Sequence, residues 1–234
     1  MRYSSYPHRR SSFFNNYFPS GVKWLLISNV GVFLLTSLFG RWLVNDLPLL
    51  DLAPVAVVKH FALWQLVTYL FLHGSVSHLL FNMLALWMFG VPLERTWGTR
   101  RFLKYYFLCG IGAGLCDVAL HAATGNWNTR TIGASGAIFG LLMAFGVLFP
   151  NQTVLMDFLF PIKAKYMVMI YGAVALYASF QSSNDGVSNI AHLGGMIFGY
   201  IYLKGRVPHI SFGDWHTSYK QWKLRRAKDR KSVV

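Results

Sequence analysis

Charge is scarce in this chain, and acidic charge is the scarcest. Only 13% of the 234 residues are charged, and Asp and Glu together number 8. So little charge, beside 54% hydrophobic and 17% aromatic residues, excludes an ordinary soluble domain and indicates a polytopic membrane protein. Cysteine is almost absent. Cys109 and Cys116 share one apolar segment, where about 10.5 Å of helical rise separates them. That is too far for a disulfide, so they read as small buried apolar residues with no redox or metal role. The N-terminus lacks an apolar run: residues 1–22 are polar, basic and rich in Ser, Asn and aromatics. A cleavable signal peptide is therefore not expected. Internal repeats and low-complexity segments are missing as well.

Long apolar segments are what the chain does have. Six predicted spans cover roughly 24–40, 76–91, 102–121, 132–149, 165–180 and 188–203. The expected fold is all-α: a six-transmembrane-helix bundle at 23–204, between an N-terminal arm (1–22) and a basic tail (205–234). The net charge of +14 is distributed by side. Arg2, Arg9, Arg10 and Lys23 precede span one. Arg95, Arg100, Arg101 and Lys104 lie between spans two and three or just inside the latter. Lys163 and Lys165 lie between four and five, and nine more run from Lys204 to Lys231. Nineteen of the 22 basic residues thus fall on one side; Arg41, Lys59 and Arg130 fall on the other. Positive-inside sorting places both termini in the cytoplasm. The tail then meets anionic lipid rather than nucleic acid; its stretch from Trp215 to Lys231 reads equally as an interfacial helix or as a solvated basic tail. The apolar loop 41–62 is expected to lie partly in the interface, with Trp42 and Trp64 in the aromatic belt.

Polar side chains inside such spans are costly and mark function. Span two opens on His78 and Asn82, span four on Gly133-Ala134-Ser135-Gly136, and span six on Ala191-His192-Leu193-Gly194-Gly195. With the N-terminus inside, these three spans all start at the outer face, so the four polar residues share one depth. His78 and Asn82, four apart, share a helix face. The pairs Gly110/Gly114, Gly136/Gly140 and Gly195/Gly199 permit close backbone approach between helices. A serine hydroxyl needs a base, and His192 suits that role. The oxyanion of an acyl transfer needs donors, which the Ser135 amide, Asn82 and His78 can supply. Gly133 and Gly136 let the backbone bend and a neighbouring helix approach. No carboxylate is expected nearby, since Asp117 falls mid-span three and Asp185 in a loop, which favours a Ser–His dyad. Asp117, inside span three, reads as pairing with a polar neighbour and not as catalytic. His60, His73 and His121 read as interfacial residues, His73 at the water boundary. Spans two, four and six are short, near 15–18 residues, so their starts lie below the surface, where hydrolytic water must be admitted.

These motifs, with the run Trp64 to Gly74 and with Glu94-Arg95-Thr96-Trp97-Gly98, resemble those of the rhomboid intramembrane serine proteases over roughly residues 24–204. The resemblance implies Ser135 as nucleophile and His192 as base. It implies His78, Asn82 and the Ser135 amide as the oxyanion site. Substrates would be single-span membrane proteins cut near their outer ends, with no cofactor. Some members carry a tyrosine one turn after the serine; Phe139 stands there and keeps ring stacking but not the phenol. By family analogy the bare six spans imply a bacterial plasma membrane. The short polar loop 181–187, immediately above His192, is expected to be a movable lid. The rival functions are an inactive client-binding relative and a proton-coupled transporter. A metal site built from His73, His78 and His192 is a further alternative.

Overall fold

The computed structural model describes residues 18–43, 49–156, 160–179 and 188–206. The chain divides into two units, Met1–Tyr200 and Ile201–Val234, and the packing described here lies within the first. In chain order the elements are α1 (Ser20–Leu43), α2 (Pro54–Lys59), α3 (Gln65–Thr68) and a 3-10 turn (Tyr69–Phe71). They continue with α4 (Val76–Trp97), α5 (Thr99–Ala123), α6 (Ser135–Leu148), β1 (Thr153–Met156), β2 (Phe160–Lys163), α7 (Ala164–Ser179) and α8 (Asn189–Arg206). Each of the six apolar segments expected as spans is thus helical. Among the described residues three helical stretches are long and apolar enough to cross a membrane: Ser20–Phe39, Val76–Trp97 and Thr99–Ala123. The 14-residue α6 is apolar but shorter. Most of the N-terminal arm, the tail beyond residue 206 and the expected lid at 181–187 lie outside the described residues, as does the Trp42 side chain.

The structure departs from the expected layout in three places. First, α4 is not short: it runs for 22 residues, past Pro92 to Trp97. Glu94, beyond the expected end of the span at 91, is buried at 2% exposure. Its carboxylate accepts the Gly21 and Val22 amides at 2.7 Å each and the Thr99 hydroxyl at 2.6 Å. A single acid therefore satisfies amides that the start of α1 leaves open and holds the start of α5. Among the spans expected to be short, α6 and the 18-residue α8 are the ones that are.

Second, the long outer loop folds on the protein. Leu52, Val57, Leu66, Tyr69 and Leu70 are buried, and Tyr69 donates its hydroxyl to Gly110 O at 2.7 Å. Gly110 makes room for Leu70, and Gly114 for Leu52, Leu66 and Tyr69, so this glycine pair admits loop side chains, not another span. Phe61, Leu63 and Trp64 remain exposed. Two of the three cations expected on the outer side are partnered: Arg130 pairs with Asp51 at 2.7 Å, and the Lys59 ammonium lies 4.7 Å from the Trp127 ring.

Third, the expected all-α class is broken by an antiparallel hairpin, β1–β2, with Thr153 opposite Lys163.

Helix α6 packs against α4, α5 and α7. It also meets α8 at one point of close backbone approach. A β-carbon at Gly195 would collide with the carbonyl oxygen of Gly136, and one at Gly136 would stand 2.6 Å from the Ala113 methyl. Gly140 approaches the Cys109 side chain with the same lack of room, which accounts for the buried Cys109.

Replacing Glu94 with Ala leaves two buried amides without their acceptor, at about 1–3 kcal/mol each. Thermal unfolding of the detergent-purified variant should therefore begin well below the wild-type midpoint. An unchanged midpoint would show that the α1 start is held by other means.

Candidate active site

Two short stretches place the central residues. The first leads into α6. Leu52 and Thr131 exchange backbone hydrogen bonds at 3.0 and 2.9 Å, and the Gly133 amide donates to Tyr69 O at 2.9 Å. The folded outer loop therefore fixes the backbone just ahead of Ser135. Gly133 has φ of +116°, a conformation other residues rarely adopt. It also has no room for a side chain: a β-carbon there would stand 2.7 Å from His78 Nε2 and 3.8 Å from Asn82 Nδ2. The second stretch opens α8. Ser188 accepts the Ala191 amide at 3.1 Å, as a helix cap does, and its carbonyl accepts the His192 amide at 3.3 Å.

The two stretches bring Ser135 Oγ to 2.8 Å from His192 Nε2. With the imidazole neutral and its proton on Nδ1, Nε2 accepts the serine hydroxyl. The Phe139 ring stacks on His192 with centroids 4.2 Å apart and planes 1° from parallel. Tyr171 meets the edge of Phe139 at 6.3 Å. On the other side, the rings and amide of His78 and Asn82 flank Gly133. Asn82 is 7% exposed, and its Nδ2 has no hydrogen-bond partner among the described residues. No side chain caps the start of α6, so the first amides of that helix are not consumed by a neighbouring side chain. A cavity of about 150 Å³ opens between Ser135, His192, His78, Thr131 and Ser188. A larger apolar groove, about 690 Å³, lies elsewhere along α5 and holds none of these groups.

The other histidines divide. His60 is exposed. His73 is not at the water boundary: it is 7% exposed, stands edge-on to His78 at 5.0 Å, and neither ring nitrogen has a hydrogen-bond partner among the described residues. Burial, and secondly the neighbouring His78, push its pKa down to about 4, so it is neutral at physiological pH. His121 is partly buried against Asp117, at 3.0 Å from its carbonyl oxygen. Among the described residues no group of three or more His, Cys, Asp or Glu could hold a metal ion. Two residues near the site were not read as part of it. Asp117, fully buried, receives the hydroxyls of Thr131 (2.9 Å) and Ser188. An acid in an apolar helix was the available signal for the first; the cap preceding His192 was the signal for the second.

Comparison with known proteins gives the setting. The chain is 36% identical over 138 residues to Rhomboid protease GluP of Bacillus subtilis, covering 58% of this chain and 25% of that protein. It is 36% identical over 138 residues to Rhomboid protein 1, mitochondrial, of Saccharomyces cerevisiae, covering 56% and 38% respectively. It is 30% identical over 149 residues to Rhomboid protease AarA of Providencia stuartii, covering 58% and 53%. The matches thus span a quarter to about half the length of these curated relatives. The rhomboid domain model matches residues 60–208, well over half of the chain. With apolar helices of membrane-crossing length and that match, this multi-pass membrane protein belongs to the rhomboid family.

Proposed function

We propose that the chain is an intramembrane serine endopeptidase that hydrolyses transmembrane-helix substrates near the outer membrane face. The observation that carries this reading is the 2.8 Å approach of Ser135 Oγ to His192 Nε2, beside a buried amide group on Asn82 that has no partner of its own. In the reaction Ser135 Oγ attacks the scissile carbonyl carbon while His192 Nε2 takes the hydroxyl proton. Negative charge develops on the carbonyl oxygen. The Asn82 amide, a His78 ring N–H and the Ser135 backbone amide are the donors that meet it. His192 returns its proton to the departing amine, leaving an acyl ester on Ser135. Water, deprotonated by His192, then hydrolyses that ester. Phe139 holds the imidazole plane by stacking and contributes no hydroxyl. Gly133, Gly136 and Gly195 act by their size: they let the oxyanion donors and the two helices reach one another.

Six spans with both termini in the cytoplasm fit the same reading, since α4, α6 and α8 then share a direction and start at one depth. The basic residues of the inner loops support this orientation, and a bacterial plasma membrane is the setting it suits. A site at the outer end of short helices reaches water, and a substrate helix must unwind there before its carbonyl is accessible.

In proteoliposomes with a model single-span substrate, Ser135→Ala and His192→Ala should each abolish cleavage. Continued cleavage by a folded Ser135→Ala protein would remove the dyad. Asn82→Ala and His78→Ala should each slow turnover without stopping it, by at most on the order of 10²–10³-fold. An unchanged rate in the double variant would leave these residues a purely structural part.

Substrate sequence supplies a further expectation. Gly and Pro are the poorest helix formers, so replacing such residues near the scissile bond with Leu should lower the cleavage rate. Equal rates for the weakened and the uniform helix, followed by gel assay, would rule out entry by unwinding.

A further inference from the structure

The dyad is held from outside by a carboxylate that touches neither member. Asp117 sits in the outer part of α5, fully buried. Its Oδ2 accepts the hydroxyl of Thr131 at 2.9 Å, and its Oδ1 accepts the hydroxyl of Ser188. Thr131 lies four residues before Ser135 and is itself locked to Leu52 by two backbone hydrogen bonds. Ser188 lies four residues before His192, caps α8 through the Ala191 amide, and accepts the His192 amide on its carbonyl. His121 closes the third side, with Nδ1 at 3.0 Å from the Asp117 carbonyl oxygen and 3.4 Å from Oδ1.

We propose that Asp117 is a positioning residue: through Thr131 and Ser188 it sets the separation between the nucleophile on α6 and the base on α8. This rests on the proposed protease reading and extends it. The chemistry suits the task. A carboxylate has two oxygens and accepts only, so it can receive two hydroxyl donors from separate segments at once. Two hydroxyls held on one side chain tie the entries of α6 and α8 to a single point of α5. The glycine contact between α6 and α8 fixes how close the helices come. It does not fix the sliding of one along the other, nor the rotation of the α8 start. A tie between the residues entering both helices does.

The test uses the full chain in detergent or liposomes and two readouts. One is cleavage of a single-span substrate, resolved into kcat and KM. The other is the rate constant for phosphonylation of Ser135 by a small fluorophosphonate, which needs an aligned dyad but no substrate docking. Asp117→Ala should lower kcat and the labelling rate constant together, by about tenfold to a hundredfold, the scale of a catalytic group displaced by about 1 Å. KM should hold. Asp117→Asn keeps the shape and one strong acceptor, so it should recover part of both rates. Ser188→Ala should lose several-fold and Ser188→Thr regain it. In the Asp117→Ala background, Ser188→Ala should add less than it costs alone, because both changes cut one link.

Labelling of folded Asp117→Ala at the wild-type rate would overturn the positioning role and leave the dyad standing. So would full additivity with Ser188→Ala. Failure of the wild type to label at Ser135 would overturn the dyad, and the positioning role with it. If Asp117→Ala does not fold, the Asn variant and the Ser188 series decide by the same criteria.

Discussion

Everything at the site depends on how closely α6 and α8 meet. Gly136 and Gly195 place backbone against backbone: a side chain on Gly195 would collide with the Gly136 carbonyl, and one on Gly136 with the Ala113 methyl of α5. In lipid there is no hydrophobic force to drive two apolar helices together, so such contacts rely on packing and on small residues. The close approach puts Ser135 and His192, each near the start of its helix, within hydrogen-bond range. It also requires the third helix of the contact, α5, to be small where it lies under both: Ala113 faces Gly136 and Cys116 faces Gly194.

Three of the polar groups brought into this apolar setting gather partners from separate segments. Glu94 takes two amides at the start of α1 and the hydroxyl at the start of α5. Tyr69 donates to one backbone carbonyl and offers its own to the Gly133 amide. Asp117 takes the hydroxyls of two segments entering the site. Against this background the groups left without partners are informative. Asn82 Nδ2 is a buried donor beside Gly133 with no acceptor among the described residues, an arrangement that suits a charge arising only during a reaction.

Much of this was legible from residues alone, and the failures have physical causes. The apolar segments and the motifs at their starts came through because hydrocarbon leaves few readings of a polar residue or a long apolar run. The end of α4 was placed near residue 91, whereas the helix continues to Trp97 with Glu94 buried inside it, accepting the amides of Gly21 and Val22 over seventy residues away. Loop 41–62 was expected to lie partly in the interface because its apolar residues would be costly in an exposed loop; Leu52 and Val57 are buried in the protein, with Leu52 against Gly114 of α5, while Phe61 stays exposed. His73 misled in the same way: two polar nitrogens suggested water, whereas packing against His78 buries it. Asp117 was read as pairing with a polar neighbour, but its partners, Thr131 and Ser188, lie 14 and 71 residues away and are set only by the fold.

The dyad is tested most directly by locating covalent modification on the reconstituted protein. After reaction with a fluorophosphonate, peptide mass spectrometry should find the adduct on Ser135 among all the chain's serines, and His192→Ala should remove it. An adduct spread over other serines, or one on Ser135 that survives the loss of His192, would contradict a serine activated by that histidine.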